Sequence, residues 1–298
     1  MSFDKRAIEI GLSGISCTED FDFRKNTTIG IGGKAALALF PGSADELERA
    51  VRFLIENAVP FCILGRGANV LASDRGFSGV AVCTRSVRQI HFLQEDVYCG
   101  CGADFSEIIA LSERKGLGGI EFMAGIPATA GGAVFMNAGA QGQYIASAVK
   151  YVDVFECGKR LRIPTKECDF SYKCSRFMKR NSIVLGVCLH LKGMETQKIE
   201  SSLDRVKAAR NRLPKGRSMG CVFKNPSSIS AGALIEQAGL KGVSHGDAII
   251  SDEHANFIIN RGNATAEDVR YLIDLAKEQV YKRTGVLLEE EIRYIGDF

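Results

Sequence analysis

The first candidate for chemistry is a glycine-containing turn after a short apolar run. Phe61 to Leu64 predicts a buried strand that opens into Gly65-Arg-Gly-Ala-Asn69. In a dinucleotide-binding Rossmann fold, a helix would follow such a Gly-x-Gly turn. Here the chain runs instead through 70–79 into another strand at 80–83. The turn is therefore weak evidence for a Rossmann site and indicates a backbone cradle of another kind.

The second candidate is the most glycine-dense segment of the chain, residues 116–139. It contains Gly125-Ile-Pro-Ala-Thr-Ala-Gly-Gly132. Glycine lets a backbone approach a ligand closely, and free amides at the start of a following helix favour phosphate. A tight loop packed against a sheet would use the same glycines, so the residues alone leave both interpretations open.

The cysteines do not predict a metal site. The chain has 10 Cys and 4 His, but Cys99 and Cys101 form a C-x-C pair without a histidine at zinc spacing. Without a secretory signal, reduced thiols are expected. Four cysteines in apolar, strand-like runs are expected to be small buried hydrophobic residues: Cys62, Cys83, Cys157 and Cys188. Cys221 lies in a different setting.

The sequence also predicts the helices and strands that would position these segments. A capping box at Ser43 to Glu46 predicts a helix of about 14 residues, and a second helix is expected at 105–115. Further predicted strands are 149–155, 160–163 and 183–191. A polar helix at 198–212 marks a domain junction.

The last third is predicted to be a compact α+β module. A short helix is expected at 233–238, with strands at 248–250 and 255–259. Thr265 and Asp268 indicate the capped start of a longer helix. A last strand at 287–295 would carry Glu289, Glu290 and Glu291, and strand alternation alone does not separate Glu289 from Glu291.

Composition excludes several classes of protein. With 298 residues, 46% hydrophobic and 24% charged, the chain is globular and long enough for two or three domains. The net charge is only +3, and Lys and Arg are scattered along the chain. The sequence therefore shows no basic patch typical of nucleic-acid binding. No apolar run approaches the roughly 20 residues of a membrane span. The N-terminus has Asp4 and Lys5 where a signal peptide would be apolar. A cytoplasmic protein is expected.

Six motifs occur in one order that resembles the family of UDP-N-acetylenolpyruvoylglucosamine reductases, flavoenzymes also called UDP-N-acetylmuramate dehydrogenases. They are Gly-Arg-Gly-Ala-Asn-Val, Gly-Ile-Pro-Ala-Thr-Ala-Gly-Gly-Ala with Met-Asn-Ala-Gly, Ser-Tyr-Lys-Cys-Ser-Arg-Phe, Gly-Cys-Val-Phe-Lys-Asn-Pro, His-Ala-Asn-Phe-Ile-Ile-Asn and Leu-Glu-Glu-Glu-Ile-Arg. The resemblance extends from Asn26 to Gly296 and is to the shorter type in the family.

This resemblance implies an α+β fold with an FAD-binding region of two subdomains, of the vanillyl-alcohol-oxidase-like type. It implies subdomains at 1–82 and 83–195 and a C-terminal α+β substrate domain at 196–298. The two glycine loops would hold FAD. The implied cofactor-binding residues are Gly65, Arg66, Gly67, Ala68, Asn69, Val70, Gly125, Ile126, Pro127, Ala128, Thr129, Gly131, Gly132, Asn137 and Ala138.

The implied reaction is the NADPH-dependent, FAD-mediated reduction of UDP-N-acetylglucosamine enolpyruvate to UDP-N-acetylmuramate, in peptidoglycan precursor synthesis. The protein would bind a nucleotide-sugar substrate. It is expected to bind no nucleic acid, membrane or metal. Two alternatives are a catalytically impaired, flavin-binding regulatory relative and another flavoprotein oxidase of the same fold. The C-terminal motifs argue against the oxidase. The oligomeric state is not predicted.

Three catalytic residues are implied by the same motifs. Cys221 would donate a proton, since a thiol with an ordinary pKa of about 8.5 is protonated near neutrality. Glu291 would hydrogen-bond the enolate-like charge if its pKa is raised near the flavin, so that its carboxyl keeps a proton to donate. Glu289 and Glu290 would be solvated. Lys173 stands where the family usually has Arg, so it supplies a point charge rather than a planar fork. Arg176 is the alternative cation.

The substrate diphosphate would contact Tyr172, Arg212, Lys224, Asn225 and His254, although a structural role for His254 is nearly as well supported. Departures from the family pattern are Ala128 for Gly and Arg66 with Ala68 for Gly and Ser. Arg66 is expected to be able to pair with the FAD phosphates.

Overall fold

The computed structural model describes residues 3–227 and 229–298. Within them, the α-helices are α1 (Lys5–Gly11), α2 (Phe23–Asn26), α3 (Ala44–Glu56), α4 (Phe105–Arg114), α5 (Ala130–Phe135), α6 (Arg176–Lys179), α7 (Thr196–Arg210), α8 (Ala231–Gln237) and α9 (Ala266–Thr284). The strands are β1 (Ser16–Asp22), β2 (Lys34–Phe40), β3 (Phe61–Leu64), β4 (Val70–Ala72), β5 (Phe77–Cys83), β6 (Ile90–Leu93), β7 (Asp96–Gly100), β8 (Leu117–Gly118), β9 (Gly139–Ala140), β10 (Gln143–Tyr144), β11 (Val149–Glu156), β12 (Lys159–Pro164), β13 (Ile183–His190), β14 (Lys192–Gly193), β15 (Ser244–His245), β16 (Ala248–Ile250), β17 (Ile258–Asn260) and β18 (Arg293–Ile295). None of the described helices has the length and apolar composition needed to cross a membrane.

The first sheet has the strand order β1, β2, β5, β3, and β5 is parallel to both β2 and β3. Val80 and Val82 of β5 enter one apolar core, while Ala81 enters another on the opposite face. Burial of both faces explains why residues 80–83 of this strand form an unbroken apolar run. Helix α3 packs in the first core, and the Ser43 hydroxyl caps it by accepting the Glu46 amide at 3.1 Å.

The second sheet is antiparallel, with the order β12, β11, β13, β7, β6. Strand β13 is buried from residue 184 to 189 and packs against α5, so the glycine-dense segment lies on this sheet. Cys157 and Gly158 turn the chain between β11 and β12, both at positive φ. Cys157 is exposed there, and its expected burial is wrong. None of the ten cysteines, all of which lie in the described ranges, is joined to another by a disulfide.

A separate C-terminal core is built around α9. The Thr265 hydroxyl accepts the Asp268 amide and the Asp268 carboxylate accepts the Thr265 amide, which confirms the capping box. The helix ends at Gly285 in the left-handed conformation, with φ at 71°. Ile29 and Ile31, from the N-terminal part, are buried in this same core. The C-terminal unit therefore packs directly against the start of the chain.

Two strands of the C-terminal unit are shorter than the apolar pattern predicts. In place of the strand expected at 255–259, residues 258–260 form the ladder, as β17. Of the strand expected at 287–295, only residues 293–295 form a ladder, as β18 beside β4. Residues 287–292 lie along 222–224 through separate backbone hydrogen bonds, such as Lys224 N–H to the Glu289 carbonyl at 2.8 Å. An apolar extended pattern indicates burial, but it does not require a continuous strand partner.

Helix α7 belongs by its packing to the first core. Its buried residues Ile199, Leu203 and Val206 lie in the core shared by the two sheets rather than in the core around α9. The helix also contacts α4. The expected boundary at residue 196 would instead place this helix at the start of the third unit. The apolar residues of α7 are few, but the three that are buried all lie in this core.

Candidate active site

A large cleft opens where the three units meet, with a volume of about 1350 Å³. This exceeds the roughly 300–1,000 Å³ of ordinary small-molecule pockets. The lining cations are Arg66, Lys173, Lys207, Arg210, Lys215 and Arg293. Among the described residues, Glu291 is the one carboxylate that lines the cleft. The excess of positive charge fits ligands that carry several phosphates.

The turn after β3 forms a backbone cradle at the floor of the cleft. Gly67 has φ at 63°, and a Cβ there would lie 2.6 Å from the Asn26 carbonyl oxygen. A Cβ on Gly65 would lie 2.7 Å from the Thr129 hydroxyl. The backbone amides of Arg66, Gly67 and Ala68 donate no hydrogen bond within residues 3–227 and 229–298. Free amides in a glycine turn suit the diphosphate of FAD.

The second glycine loop also lines the cleft, but its helix start is not an anion site. The amides of Ala130 and Gly131 donate to the Ala103 and Cys101 carbonyls, both at 2.8 Å. The Gly132 amide donates to the Thr129 hydroxyl at 3.3 Å. The expectation that free amides at this helix start receive phosphate is therefore wrong, because the protein uses them itself.

Of the expected cofactor-binding residues, all but Asn137 line the cleft. Asn137 is 3% exposed, and its amide donates to the Ser171 carbonyl at 2.8 Å, so its side chain holds the protein together. The Asn69 amide donates to the Glu291 carbonyl at 3.0 Å. Arg66 forms an ion pair with Asp104. Its expected pairing with phosphate would compete with this contact.

Lys173 and Glu291 meet in the cleft. Ser171 and Cys174 exchange backbone hydrogen bonds, which makes a tight turn with Tyr172 and Lys173 at its tip. Lys173 is held at φ 53°, a conformation that non-glycine residues adopt mainly where the surrounding structure imposes it. Its ammonium lies 2.7 Å from the Glu291 carboxylate, with the two side chains 17% and 11% exposed. The turn therefore delivers a fixed cation to the cleft.

Cys221 is held in the same cleft by a buried asparagine. The Asn256 side chain accepts the Phe223 amide at 2.9 Å and donates to the Phe223 carbonyl at 2.8 Å. The Glu291 amide donates to the Val222 carbonyl at 2.8 Å, so the segments that carry the thiol and the carboxylate are joined directly. Asn256 was missed as a positioning residue, although it lies two residues after His254 in the same His-Ala-Asn motif.

The environment keeps the Cys221 thiol protonated. Burial, and then the nearby Glu291 carboxylate, raise its pKa to about 11, while Lys173 and Arg210 oppose the shift. A group with that pKa is a thiol rather than a thiolate at neutral pH. Its two neighbouring cations would stabilise the thiolate left after proton donation.

Glu289 and Glu290 have other partners. Lys224 forms an ion pair with Glu289, whose side chain is largely exposed. Lys277 donates to Glu290 at 2.8 Å, and Tyr294 donates to it as well. Only Glu291 of the three faces the cleft, which settles the ambiguity that strand alternation left.

Of the expected substrate residues, the structure brings Tyr172 and Asn225 into the cleft and leaves three outside its lining. Arg212 is exposed after the end of α7. Lys224 is paired with Glu289, and His254 accepts the Asn256 amide at 3.2 Å, so each has a structural partner. Burial lowers the pKa of His254.

Arg210 lines the cleft where Arg212 was expected. A Cβ on Gly125 would lie 2.8 Å from its Nε, so the guanidinium rests against the second glycine loop. Burial lowers the pKa of Arg210. The sequence did not identify Arg210, because the resemblance pointed to Arg212 and no local pattern pointed to residue 210. Arg176, the alternative to Lys173, is bound to Glu156 at 2.9 Å and does not line the cleft.

Comparison with known proteins assigns both parts of the chain. The family described as FAD binding domain matches residues 35–159, and that described as UDP-N-acetylenolpyruvoylglucosamine reductase, C-terminal domain, matches residues 211–295. The chain is 38% identical over 291 residues to the UDP-N-acetylenolpyruvoylglucosamine reductase of Caldicellulosiruptor bescii, covering 96% of this chain and 93% of that one. It is 39% identical over 275 residues to that of Protochlamydia amoebophila, covering 90% of each chain.

The solved structure of the reductase from Thermus caldophilus matches with a TM-score of 0.81 at 34% identity, covering 95% of this chain and 99% of that one. The expected α+β fold is confirmed, with an FAD-binding domain and a C-terminal domain of the reductase type. Its cofactor is FAD. The chain belongs to the family of UDP-N-acetylenolpyruvoylglucosamine reductases and is an FAD-dependent oxidoreductase.

Proposed function

We propose that this protein reduces UDP-N-acetylglucosamine enolpyruvate to UDP-N-acetylmuramate, with NADPH as the hydride donor, in cytoplasmic synthesis of peptidoglycan precursors. The observation that carries the proposal is the convergence of Lys173, Glu291 and Cys221 in one cation-lined cleft. A member of this family with that arrangement has a group for each task that the reduction of an enolpyruvyl ether demands.

The residues present fit FAD. The glycines at 65 and 67 have no room for a Cβ, and the amides between them are free to bind phosphate. FAD supplies the exchange of hydride between the nicotinamide and the substrate. Arg66, the turn at 65–69 and the loop at 125–132 would hold it. The cleft volume leaves room beside it for a second ligand, since the cavity exceeds an ordinary pocket.

Lys173 would stabilise the negative charge that develops next to the substrate carboxylate. An ammonium has three N–H donors, and the contact with Glu291 uses one of them. The buried ion pair fixes where the ammonium lies, so its charge is oriented before substrate arrives. Lysine lacks the two-point grip of the arginine that is usual in the family, and here Glu291 provides that missing constraint.

Cys221 would deliver the proton to the carbon next to the carboxylate. With a pKa of about 11, the thiol is protonated in the resting protein. After transfer, the sulfur carries the negative charge near Lys173 and Arg210, both of which favour the thiolate. Arg210 and the Asn225 segment would contact the substrate diphosphate, in place of Arg212 and Lys224. We place the third domain after α7, at about residue 211, in agreement with the packing of that helix.

Anaerobic stopped-flow spectroscopy tests the proposal. NADPH should bleach the absorbance of the oxidised flavin, and the enolpyruvyl substrate should restore it. Bleaching without restoration would favour the regulatory relative with impaired catalysis. A reduced flavin that reacts rapidly with oxygen, and not with substrate, would instead indicate an oxidase.

A further inference from the structure

The turn that carries Lys173 is fastened to one place, the end of helix α5, by hydrogen bonds on both sides of the lysine. Two residues before Lys173, the Ser171 carbonyl accepts the side-chain amide of Asn137 at 2.8 Å. Two residues after it, the Ser175 hydroxyl donates to the Phe135 carbonyl at 2.6 Å. These two hydrogen bonds form a clamp. Because Phe135 and Asn137 are near neighbours in the sequence, the clamp ties the turn to a single short stretch of chain.

Both side chains of the clamp are closed to solvent. Ser175 is 0% exposed and Asn137 is 3% exposed. Phe135 is the last residue of α5, where a helix leaves carbonyls without an intrahelical partner, and the Ser175 hydroxyl supplies one. Asn137 also accepts the Ala146 amide at 3.2 Å, which fixes the orientation of its side chain. Because buried polar groups are costly to leave unpaired, the clamp resists opening.

The hydrogen bonds within the turn do not set where Lys173 points. Ser171 and Cys174 exchange backbone hydrogen bonds at 3.0 and 3.1 Å, which close the turn on itself. Lys173 is held at φ 53°, a conformation that persists for a non-glycine residue only when the surrounding structure imposes it. A lysine side chain is long and flexible, so the position of its Cα decides which region the ammonium can reach. The clamp fixes that Cα against the rest of the molecule.

The clamp also relates Lys173 to the wall of the cleft. Residues 131–133 and Phe135 of α5 line the cleft, and the helix begins in the glycine loop at 125–132 that would hold FAD. The Glu291 carboxylate contacts the ammonium of Lys173 at 2.7 Å. The base of the lysine side chain is therefore set by the helix that begins in the cofactor loop, and its tip by the C-terminal unit.

We propose that Asn137 and Ser175 are positioning residues for the reaction and act through Lys173, by holding the base of its side chain at the end of α5. The inference rests on the proposed function, in which the Lys173 ammonium stabilises the charge that develops on the substrate. Two side chains that only stabilised the fold would have effects on rate that add to those of any change at Lys173. Positioning residues instead lose their effect on rate once the ammonium is gone, and a double-mutant cycle measures that difference.

The cycle combines Ser175→Ala and, separately, Asn137→Gly with Lys173→Met. Glycine suits the φ of 45° at position 137, so Asn137→Gly removes the side chain without straining the backbone. In anaerobic stopped-flow, each single variant should slow reoxidation of the flavin by the enolpyruvyl substrate about fivefold, the effect of one lost hydrogen bond to the turn. Reduction of the flavin by NADPH should be unchanged. In the Lys173→Met background, neither change should slow reoxidation further.

Ser112→Ala is the matched control. Ser112 is 1% exposed, and its hydroxyl donates to the Ile108 carbonyl at 2.8 Å within α4. It is not among the described residues that line the cleft. Like Ser175→Ala, this change removes a buried hydroxyl from a backbone carbonyl. It should leave the rate of reoxidation unchanged in both backgrounds.

A second measurement follows the ammonium without turnover. Lys173 favours the thiolate of Cys221, so a displaced ammonium should slow alkylation of Cys221 by iodoacetamide at pH 9 about twofold. A general loosening of the structure would instead speed alkylation, because the thiol is buried. Peptide mass spectrometry of the FAD-loaded protein measures the rate. Failure of the substrate to reoxidise the wild-type flavin would contradict the proposed function, and alkylation would still decide this inference.

Reoxidation at the wild-type rate in both Ser175→Ala and Asn137→Gly would overturn the inference. Equal slowing in the wild-type and Lys173→Met backgrounds would overturn it too, because the two residues would then act independently of the ammonium. In a protein that does not turn over, unchanged or faster alkylation of Cys221 would do the same. The two variants remove opposite ends of the clamp, so one decides the question if the other fails to fold.

Discussion

The ammonium of Lys173 lies 2.7 Å from the carboxylate of Glu291, in a part of the protein that is largely closed to solvent. The two residues come from different units. Lys173 lies in a turn between strands β12 and β13 of the second sheet, and Glu291 lies in the extended segment before β18. Each is held in place independently, Lys173 by its tight turn and Glu291 by the Val222 carbonyl. The pair is therefore a rigid contact between units at the point where the substrate carboxylate would bind.

Replacement of Lys173 tests the role of this charge. Lys173→Met should reduce reoxidation of the flavin by substrate about 10²- to 10³-fold, as expected for loss of a preorganised charge. It should also cost roughly 1–3 kcal/mol of unfolding free energy, because Glu291 loses its partner. Lys173→Arg should retain activity. Stopped-flow rates and denaturant unfolding measure both effects.

Lys277→Met is the matched control, since Lys277 pairs with Glu290 at 2.8 Å outside the cleft lining. It should leave the rate of substrate reduction unchanged. If Lys173→Met and Lys277→Met behave alike in that half-reaction, Lys173 has only a structural role.

Replacement of Asn69 tests whether this residue positions Glu291 or binds the cofactor. Because its side-chain amide holds the Glu291 carbonyl at 3.0 Å, Asn69→Ala should slow the reaction with substrate about fivefold, the effect of about 1 kcal/mol from one hydrogen bond. FAD content of the purified protein should be unchanged. Asn57→Ala, which removes an amide contact to the Phe53 carbonyl at 2.8 Å, controls for stability. Loss of FAD with a normal rate for the loaded fraction would show that Asn69 acts on the cofactor instead.

Gly67 tests the backbone cradle. Gly67→Ala should yield protein that retains little FAD, because the added Cβ would meet the Asn26 carbonyl at 2.6 Å and displace the turn. Gly158→Ala offers a comparison at similar φ, 75°, with nothing within 4 Å of the added atom. It should cost about 1 kcal/mol in stability from backbone strain and keep its flavin. Equal flavin content in the two variants, measured by absorbance, would refute the cradle.

The pKa of Cys221 predicts how its reactivity depends on pH. Since burial and Glu291 raise that pKa to about 11, the thiolate fraction should rise tenfold per pH unit from pH 7 to 9 without levelling off. Iodoacetamide should therefore modify the exposed Cys157 before Cys221 at pH 7. Peptide mass spectrometry reads the order. A plateau for Cys221 below pH 9 would mean that it is an activated thiolate and not an acid.

The sequence predicted the features that depend on local backbone conformation. It missed the features that depend on contacts between residues far apart in the chain. The cradle at 65–69 was identifiable because Gly67 occupies a conformation and a space that other residues do not fit. Arg210 was missed because its place in the cleft depends on the packing of its side chain against Gly125, a contact that no local pattern specifies.

The three consecutive glutamates show the same limit. Alternation did not distinguish Glu289 from Glu291, because residues two apart lie on the same face of a strand. Their separation depends on long-range partners, Lys224 for Glu289 and Lys173 for Glu291, which no local pattern specifies. His254 was likewise ambiguous until its contact with the Asn256 amide was known.

The most direct test of the account compares the two half-reactions in Cys221→Ala and Cys221→Ser. Flavin reduction by NADPH should proceed at the wild-type rate in both, because the thiol is needed only as a proton donor to the substrate. Reoxidation by the enolpyruvyl substrate should collapse in Cys221→Ala and persist in Cys221→Ser, whose hydroxyl can donate in its place. Equal slowing of both half-reactions in Cys221→Ala, or a normal rate of reoxidation, would contradict the assignment of Cys221 as the acid.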